Sequence, residues 1–311
     1  MGYDTSYHPL DLSLVADRLL PYLAGHGADD ALDDLVARAV AIRKTRFRAK
    51  AWALGAHRVA RDDDALPWEP HLHLWGRPFL LVADTPERLA EDLRRYLDTR
   101  HDQVDALARE MLGRLDPALP DRVEPDRDGR LPGDEVLADS LATPLRLLRA
   151  AGVAVRAGRR TVRHPDGREF EAAPLFVQEV PFHLLRFAAA LLPGWMSRGH
   201  TWPTRLLADA GLPATGFTAS TALTALLREE FPDLDWPVPD ATIVGNYMVG
   251  GLVPAERVGV AHGHLSRHRD ALDGDPLEVR KLLEALAVAA CLGTGFVEAT
   301  EVYSGMTGEL N

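Results

Sequence analysis

The spacing of hydrophobic positions in the first third of the chain predicts helices. Apolar residues recur every three or four positions there, separated by charged ones. Four aspartates open the second of these segments, where the helix dipole favours carboxylates, and Thr85 is a natural N-cap before Pro86. The predicted helices are residues 11–23, 29–57, 86–97 and 102–115.

A strand and a β-meander are predicted where hydrophobic residues recur at every second position. His71–Trp75 alternates and resumes at Phe79–Val82. After a helix at 134–151, four short segments follow, and Pro165-Asp166-Gly167 forms a turn between two of them. The predicted meander strands are residues 153–155, 161–163, 168–171 and 175–180.

The remaining segments mix helices and short strands. Helices are predicted at 182–192, 203–210, 220–230 and 276–292, and strands at 242–247, 257–261 and 295–303. Strands and helices do not alternate as a βα-barrel or a doubly wound fold requires. We therefore predict an α+β fold that is predominantly helical, with a small mixed or antiparallel sheet.

Residues 117–133 are rich in Pro, Asp, Arg and Gly and predict a linker or a long loop. This segment divides the chain into two predicted regions. Residues 1–116 form a mainly helical region with one strand pair. Residues 134–311 form an α+β region that contains the meander and a C-terminal helix and strand.

Composition narrows the class of protein. The net charge is −11, which argues against a nucleic-acid binder because such proteins usually carry a basic surplus. No run of eighteen apolar residues and no leader pattern is present, so we expect no membrane partner. The single cysteine, Cys291, fits a reducing compartment and a core position. We expect a cytoplasmic, soluble, acidic protein.

Histidines are the most informative candidates for chemistry. His71 and His73 share one face of a predicted strand, and His264 and His268 are four apart, a spacing that chelates metals on a helix. This is the pair of the H-E-x-x-H motif, but Leu265 stands where the motif has glutamate. His262 is expected at the end of the preceding strand, and His8, near a predicted edge strand, could join either cluster.

These histidines predict a divalent metal, Zn, Fe or Mn, as the cofactor. The alternative interpretation is a set of solvent-facing histidines without a metal. No P-loop or G-x-G-x-x-G motif predicts a nucleotide cofactor. Glu298 and Glu301 are the candidate catalytic residues, because a carboxylate beside a metal-bound water acts as a general base. They are three apart on the last predicted strand, so only one can face a given site.

Candidate ligand-binding residues come from three further segments. Lys44 and Arg48 share one face of the basic block 43–50, while Arg43, Arg46 and Lys50 share another, and this block is either an anion site or a solvated surface. Asn246 and Tyr247 lie in a glycine-flanked turn, where backbone amides bind anions. Trp202 could wall a pocket.

Three functional hypotheses remain, and whether the protein is an enzyme is left open. The first is a metal-dependent enzyme, such as a hydrolase, that acts on a small molecule. The alternative is an acidic binding or immunity-type protein whose partner is a basic protein. The third is a metal-free enzyme acting on an anionic small molecule through Lys44, Arg48 or the Gly250 turn.

Overall fold

A computed structural model describes residues 4–61, 71–126, 129–164, 166–198, 202–217, 224–236, 249–304 and 306–308. The strands are β1 Asp4–Leu10, β2 Thr161–Arg163, β3 Glu169–Glu171, β4 Trp195–Arg198, β5 Val249–Val253 and β6 Gly295–Thr300. The helices are α1 Leu12–Leu14, α2 Leu20–Leu23, α3 Asp33–Arg61, α4 Pro86–Asp98, α5 Val104–Leu115, α6 Leu119–Arg122, α7 Asp134–Arg156, α8 Ala172–Leu191, α9 Pro203–Asp209, α10 Thr224–Glu230, α11 Ala255–Arg267 and α12 Pro276–Leu292. Val15–Leu19 and His71–Gly76 are π-helical, and His101–Gln103 and Arg269–Ala271 are 3-10 turns.

The main sheet has four strands in the order β4-β1-β6-β5, and every neighbouring pair is antiparallel. β2 and β3 form a separate hairpin. The α+β prediction is therefore confirmed, with helix predominating and an antiparallel sheet. In the described part of the chain, no helix is long and apolar enough to cross a membrane.

The main sheet separates two hydrophobic cores. Leu10, Met196, Val297 and Ala299 pack with α7, α8 and the first half of α3. On the opposite face, residues from the same strands pack with α4, α5, α11, α12 and the second half of α3, among them Tyr7, Trp195 and Phe296. Because successive strand residues point to opposite faces, every polar residue on these strands is assigned to one core by its register.

Helix caps predicted from the sequence are present. The Thr85 side chain accepts the Arg88 amide at 3.4 Å, and α4 begins at Pro86. α12 begins at Pro276 behind the Asp275 cap and ends at Gly293, whose φ of 71° is left-handed. These ends follow the predictions because capping depends on residues adjacent in the chain.

The predicted strand at His71–Trp75 is wrong, since His71–Gly76 form a π-helical turn. The Arg77 amide donates to the Leu72 carbonyl at 2.9 Å and closes the five-residue spacing of that turn. Leu72, His73 and Leu74 are all buried, so the alternation did not mark a half-exposed strand.

The predicted four-stranded meander is also wrong, because only 161–163 and 169–171 are strands. Residues 153–155 continue α7, and 175–180 belong to α8, which includes Pro181. The predicted helix ended at residue 151, just before Gly152, but α7 continues through Gly152, which is a close packing position. A Cβ there would lie 2.3 Å from the Leu23 carbonyl oxygen.

Three further assignments changed. Residues 257–261 are helix rather than strand, because α11 starts at Ala255 directly after Pro254. The strand β4 was not predicted, and β1, the strand expected near His8 at a sheet edge, lies inside the sheet. The predicted strand 242–247 falls outside the described residues. The domain division at 117–133 stays a prediction. Within that segment the Asp126 amide donates to the Ala51 carbonyl at 2.8 Å.

Gly152→Ala tests the contact between α7 and α2. We expect a loss of roughly 1–3 kcal/mol in the free energy of unfolding, because the added methyl overlaps backbone that cannot rotate away. Gly259→Ala in α11 is the matched control, since nothing lies within 4 Å of its Cβ position, and it should gain up to about 1 kcal/mol. Urea unfolding measures both, and equal stability of the two variants would contradict the packing argument.

Candidate functional site

The five candidate metal ligands whose side chains are described do not form one centre. His8 lies in the sheet, His73 in the π-helical turn, and His262 and His264 in α11 with His268 at its C-cap. The His71 side chain lies outside the described part. Among the described residues, no group of three His, Cys, Asp or Glu is placed to hold a metal ion.

His8 is fully buried on the α8 side of the sheet. Its Nε2 is 2.8 Å from Ser6 Oγ, and its ring lies against Tyr303, with 5.5 Å between ring centres. The Arg46 guanidinium covers the same tyrosine ring at 3.8 Å. Burial, followed by the charge of Arg46, lowers the pKa of His8 to about 3, so this imidazole is neutral at physiological pH.

His73 belongs to a buried polar network at the end of the π-helical turn. Its Nδ1 is 2.8 Å from the Leu81 carbonyl oxygen and 2.9 Å from Arg77 Nη1. Arg77 also makes a bidentate pair with Glu284 of α12. Burial lowers the pKa of His73 to about 4, and the Arg77 charge acts in the same direction.

The two cationic residues predicted to bind a ligand, Lys44 and Arg48, are in ion pairs. Lys44 Nζ is 2.9 Å from Asp134, and Arg48 binds Asp105 through two bonds of 2.6 and 2.7 Å. The opposite face of the basic block, Arg43, Arg46 and Lys50, is the buried one. Charge pattern alone did not reveal this, because long cationic side chains are usually solvated.

Glu298 is the predicted residue whose surroundings are most unusual. It lies in the middle of β6, opposite Tyr7, and its side chain is fully buried on the α12 side of the sheet. Its Oε1 accepts the Gly251 amide at 2.8 Å and the Thr204 hydroxyl, and its Oε2 accepts the Thr204 amide at 3.0 Å. The side chain of Trp202 donates a further hydrogen bond.

Irregular pairing of β5 creates this arrangement. Val249 pairs with Ala299 and Leu252 pairs with Val297, so two residues of β5, Gly250 and Gly251, oppose Glu298 alone. Such a bulge removes an amide from the strand ladder, and here that amide binds the carboxylate. β-Bulges occur often beside active sites, where they redirect a polar group.

Glycine is required at both bulge positions by close contacts. A Cβ at Gly250 would lie 2.0 Å from Trp202 Cζ2, and one at Gly251 would lie 2.7 Å from Phe217 and from Thr204. Trp202 is also the N-cap residue of α9, with Pro203 at the first helical position. The segment 202–204 and the bulge are therefore packed directly over Glu298. Gly250 and Gly251, which the sequence placed in a turn, therefore belong to β5 and contact Glu298, a predicted catalytic residue.

Burial raises the pKa of Glu298 to about 7. The four hydrogen bonds that the carboxyl accepts act in the opposite direction and lower the pKa, but burial is the larger effect. Both protonation states are therefore accessible near neutral pH. When the carboxyl is protonated, one of its partners must accept rather than donate. The Thr204 hydroxyl can reverse its direction, whereas amide and indole N–H groups cannot. Thr204 is a partly exposed residue, whereas Glu298 is fully buried.

A second buried polar cluster lies on the same face of the sheet. Ser197, Thr5 and Thr300 are register neighbours across β4, β1 and β6. Lys281 of α12 binds Glu278 at 2.8 Å, and Glu278 accepts a hydrogen bond from Ser197. Sequence reasoning missed this cluster, since β4 was not predicted. The i, i+3 spacing of Glu278 and Lys281 was the available signal.

The other predicted residues are placed as follows. Glu301 comes directly after β6 at a φ of 58°, where its carboxylate accepts the Asp4 amide at 3.1 Å. It is thus outside the strand on which it was predicted. Trp202 lies in the Glu298 site. Asn246 and Tyr247 fall outside the described residues.

Comparisons with protein-family models, with curated proteins and with solved structures find no match to this chain.

Glu298→Gln should change how stability depends on pH. The folded pKa of about 7 exceeds the usual 4.5, so between these values the folded chain keeps a proton that the unfolded chain loses. The free energy of unfolding therefore falls as pH rises through this interval, by roughly 3 kcal/mol from this group. The glutamine variant should lack that fall.

Unfolding in urea from pH 4.5 to 8 measures this difference between the wild type and Glu298→Gln. Glu301→Gln is the control, because it removes a carboxylate three residues away and outside the site. A constant stability difference between wild type and Glu298→Gln over this range would contradict the raised pKa.

His8→Gln should reduce sensitivity to acid. The folded pKa of His8, about 3, lies below the usual 6.5, so the stability it contributes is complete above pH 6.5 and is lost as pH falls towards 3. The wild type should lose roughly 5 kcal/mol from this group over that interval. Acid titration followed by circular dichroism checks this, with the exposed His101→Gln as control. If both variants unfold at the wild-type midpoint, the buried neutral His8 is contradicted.

Proposed function

We propose that this protein is an enzyme that acts on a small molecule by proton transfer through the Thr204–Glu298 pair. The observation that carries the proposal is a fully buried carboxyl with a pKa of about 7 whose one reversible partner is the hydroxyl of Thr204, a partly exposed residue. A group that titrates near the working pH is the most effective general acid or base. Shifted carboxyl groups of this kind concentrate at active sites.

The pair would work as a relay for hydrolysis. Protonated Glu298 passes its proton to Thr204 Oγ1 as Thr204 passes its own proton to the leaving atom of the substrate. Water supplies the nucleophile, and its proton returns to Glu298 through Thr204. The proton count closes, and the net change is the addition of water across the cleaved bond. The proposal keeps the expected hydrolase and small-molecule substrate, and assigns the proton steps to this chain's own residues.

Substitutions at Thr204 test the proposal. Thr204→Val should lower kcat/KM at least ~100-fold because it removes the relay hydroxyl, whereas Thr204→Ser should stay within about tenfold of the wild type. In the wild type, kcat/KM should fall tenfold per pH unit above about pH 7, as the acid form of Glu298 is lost. The assay is a panel of ester, amide, phosphoester and glycoside substrates.

Thr294→Val is the matched control. Thr294 also donates a hydrogen bond from its hydroxyl, in this case to the Ala289 carbonyl oxygen at 3.3 Å, but it lies outside the site. Equal activity of Thr204→Val and Thr294→Val, or a pH profile unchanged in Glu298→Gln, would refute the relay.

The alternative, a binding protein, is favoured by a different feature. An open cleft of about 1010 Å³ lies between the residues after α2, α7 and the β2–β3 hairpin. Carboxylates and guanidinium groups both line it, including Asp30, Asp33, Arg146, Arg159 and Arg163. Exposed aspartates would attract a basic partner, and high salt would weaken such a complex. Partner capture that survives Thr204→Val but not Asp30→Asn with Asp33→Asn would support this alternative over the enzyme.

A further inference from the structure

The C-terminal end of α11 brings two histidine rings together. His264 and His268 are one helical turn apart, and their ring centres are 4.6 Å from each other. His264 is buried, with 6% of its surface exposed, while His268 is half-buried. Of the histidines singled out by the sequence, these are the two whose predicted adjacency on a helix is present in the structure.

Hydrogen bonding leaves a ring nitrogen available on each histidine. His268 Nδ1 is 2.9 Å from the His264 carbonyl oxygen, which only accepts, so Nδ1 carries the proton and Nε2 has a free lone pair. A backbone carbonyl that holds one ring nitrogen is the common support of a metal-binding histidine. His264 Nε2 is buried and has no hydrogen-bond partner in the described part of the chain.

We propose that His264 and His268 together bind one divalent transition-metal ion, with Cu(II) preferred over Zn(II). A metal–nitrogen bond of about 2.1 Å places the ion roughly 3 Å from the ring centre, so two rings with centres 4.6 Å apart can share one ion. The negative end of the α11 dipole favours a cation at this position. The preference for copper follows the general order of affinity for nitrogen ligands.

The site differs from a catalytic zinc centre in its number of ligands. Among the described residues no third His, Cys, Asp or Glu completes it, so water fills the other positions. We therefore assign it an exchangeable ion that ties the end of α11 together. This proposal is independent of the Thr204–Glu298 relay.

His262 is the matched control on the same helix. It lies two residues before His264, which places it about 200° around the helix axis, on a different face. Its Nε2 is 3.5 Å from Ser266 Oγ. A His262→Asn variant therefore removes one imidazole from α11 without touching the proposed pair.

Calorimetric titration of the untagged chain with Zn(II), and electron paramagnetic resonance with Cu(II), test the site. We expect one equivalent of each ion, nitrogen hyperfine structure from two imidazoles, and affinity at least tenfold weaker in His264→Gln and in His268→Asn. His262→Asn should bind as the wild type does. His268→Asn, at a half-buried cap, keeps the test valid if His264→Gln fails to fold.

Two outcomes would overturn the proposal. One is the absence of stoichiometric binding by the folded wild type at micromolar metal. The other is binding that His262→Asn weakens as much as His268→Asn does, since that result would indicate general surface coordination by α11 histidines.

Discussion

The pairing of β1 with β6 is the constraint on which the rest of this structure depends. The two strands lie about 290 residues apart in the chain and form the centre of the sheet, with Tyr7 opposite Glu298 and His8 opposite Val297. Closing so long a loop is unfavourable until the contacts of the central strands form. All the helices that cover the two faces belong to the segment between these strands, so the register of this one pair decides which polar groups enter which core.

That register places two ionisable residues, His8 and Glu298, on opposite faces of the sheet. His8 enters the core on the α8 side, where burial and the charge of Arg46 hold it neutral. Glu298 enters the other core, where burial raises its pKa but donors from the β5 bulge and from 202–204 limit the rise. Desolvation acts on both, and it disfavours the charged form in each case. The difference lies in the partners: Glu298 has the reversible hydroxyl of Thr204, a partly exposed residue, and His8 has buried Ser6.

Sequence reasoning succeeded where structure is determined by residues close in the chain. The Thr85–Pro86 start and the helix at 276–292 depend on local signals, and both are present as predicted. It failed where partners distant in the chain decide. Gly152 lies inside α7, packed against the Leu23 carbonyl. β1 is an inner strand because both β4 and β6 pair with it, and β4 is a strand because β1 supplies its hydrogen-bond partners. No periodicity within those segments encodes such partners.

The same division applies to the candidate sites. Glu298 was identified by its residue type and strand position, and the adjacency of His264 and His268 by their spacing. Thr204 was not identified, because its hydroxyl reaches Glu298 only through the packing of α9 on the β5 bulge. Lys44 and Arg48 were selected as ligand-binding candidates ahead of the buried residues Arg43, Arg46 and Lys50. Charge patterning does not show which side of a helix packs against the core.

A structural explanation of the Glu298 site has to account for its chemistry as well as its position. A tie between β6, β5 and α9 needs acceptors for the amides of Thr204 and Gly251, which bind different oxygens of the carboxyl, and a glutamine would supply only one of these acceptors. Burying this carboxyl costs stability as pH rises above its unfolded pKa, and the full cost is reached above its folded pKa, since the charged form has lost its hydration. Natural proteins retain carboxyl groups with such shifted pKa values chiefly at sites where catalysis or binding uses them. The β-bulge, the two glycines fitted against Trp202 and Phe217, and the reversible Thr204 hydroxyl all converge on one atom, Glu298 Oε1. The same contacts hold β6, β5 and α9 together, and they give the proposed proton transfer a titratable oxygen beside a hydroxyl that can both donate and accept.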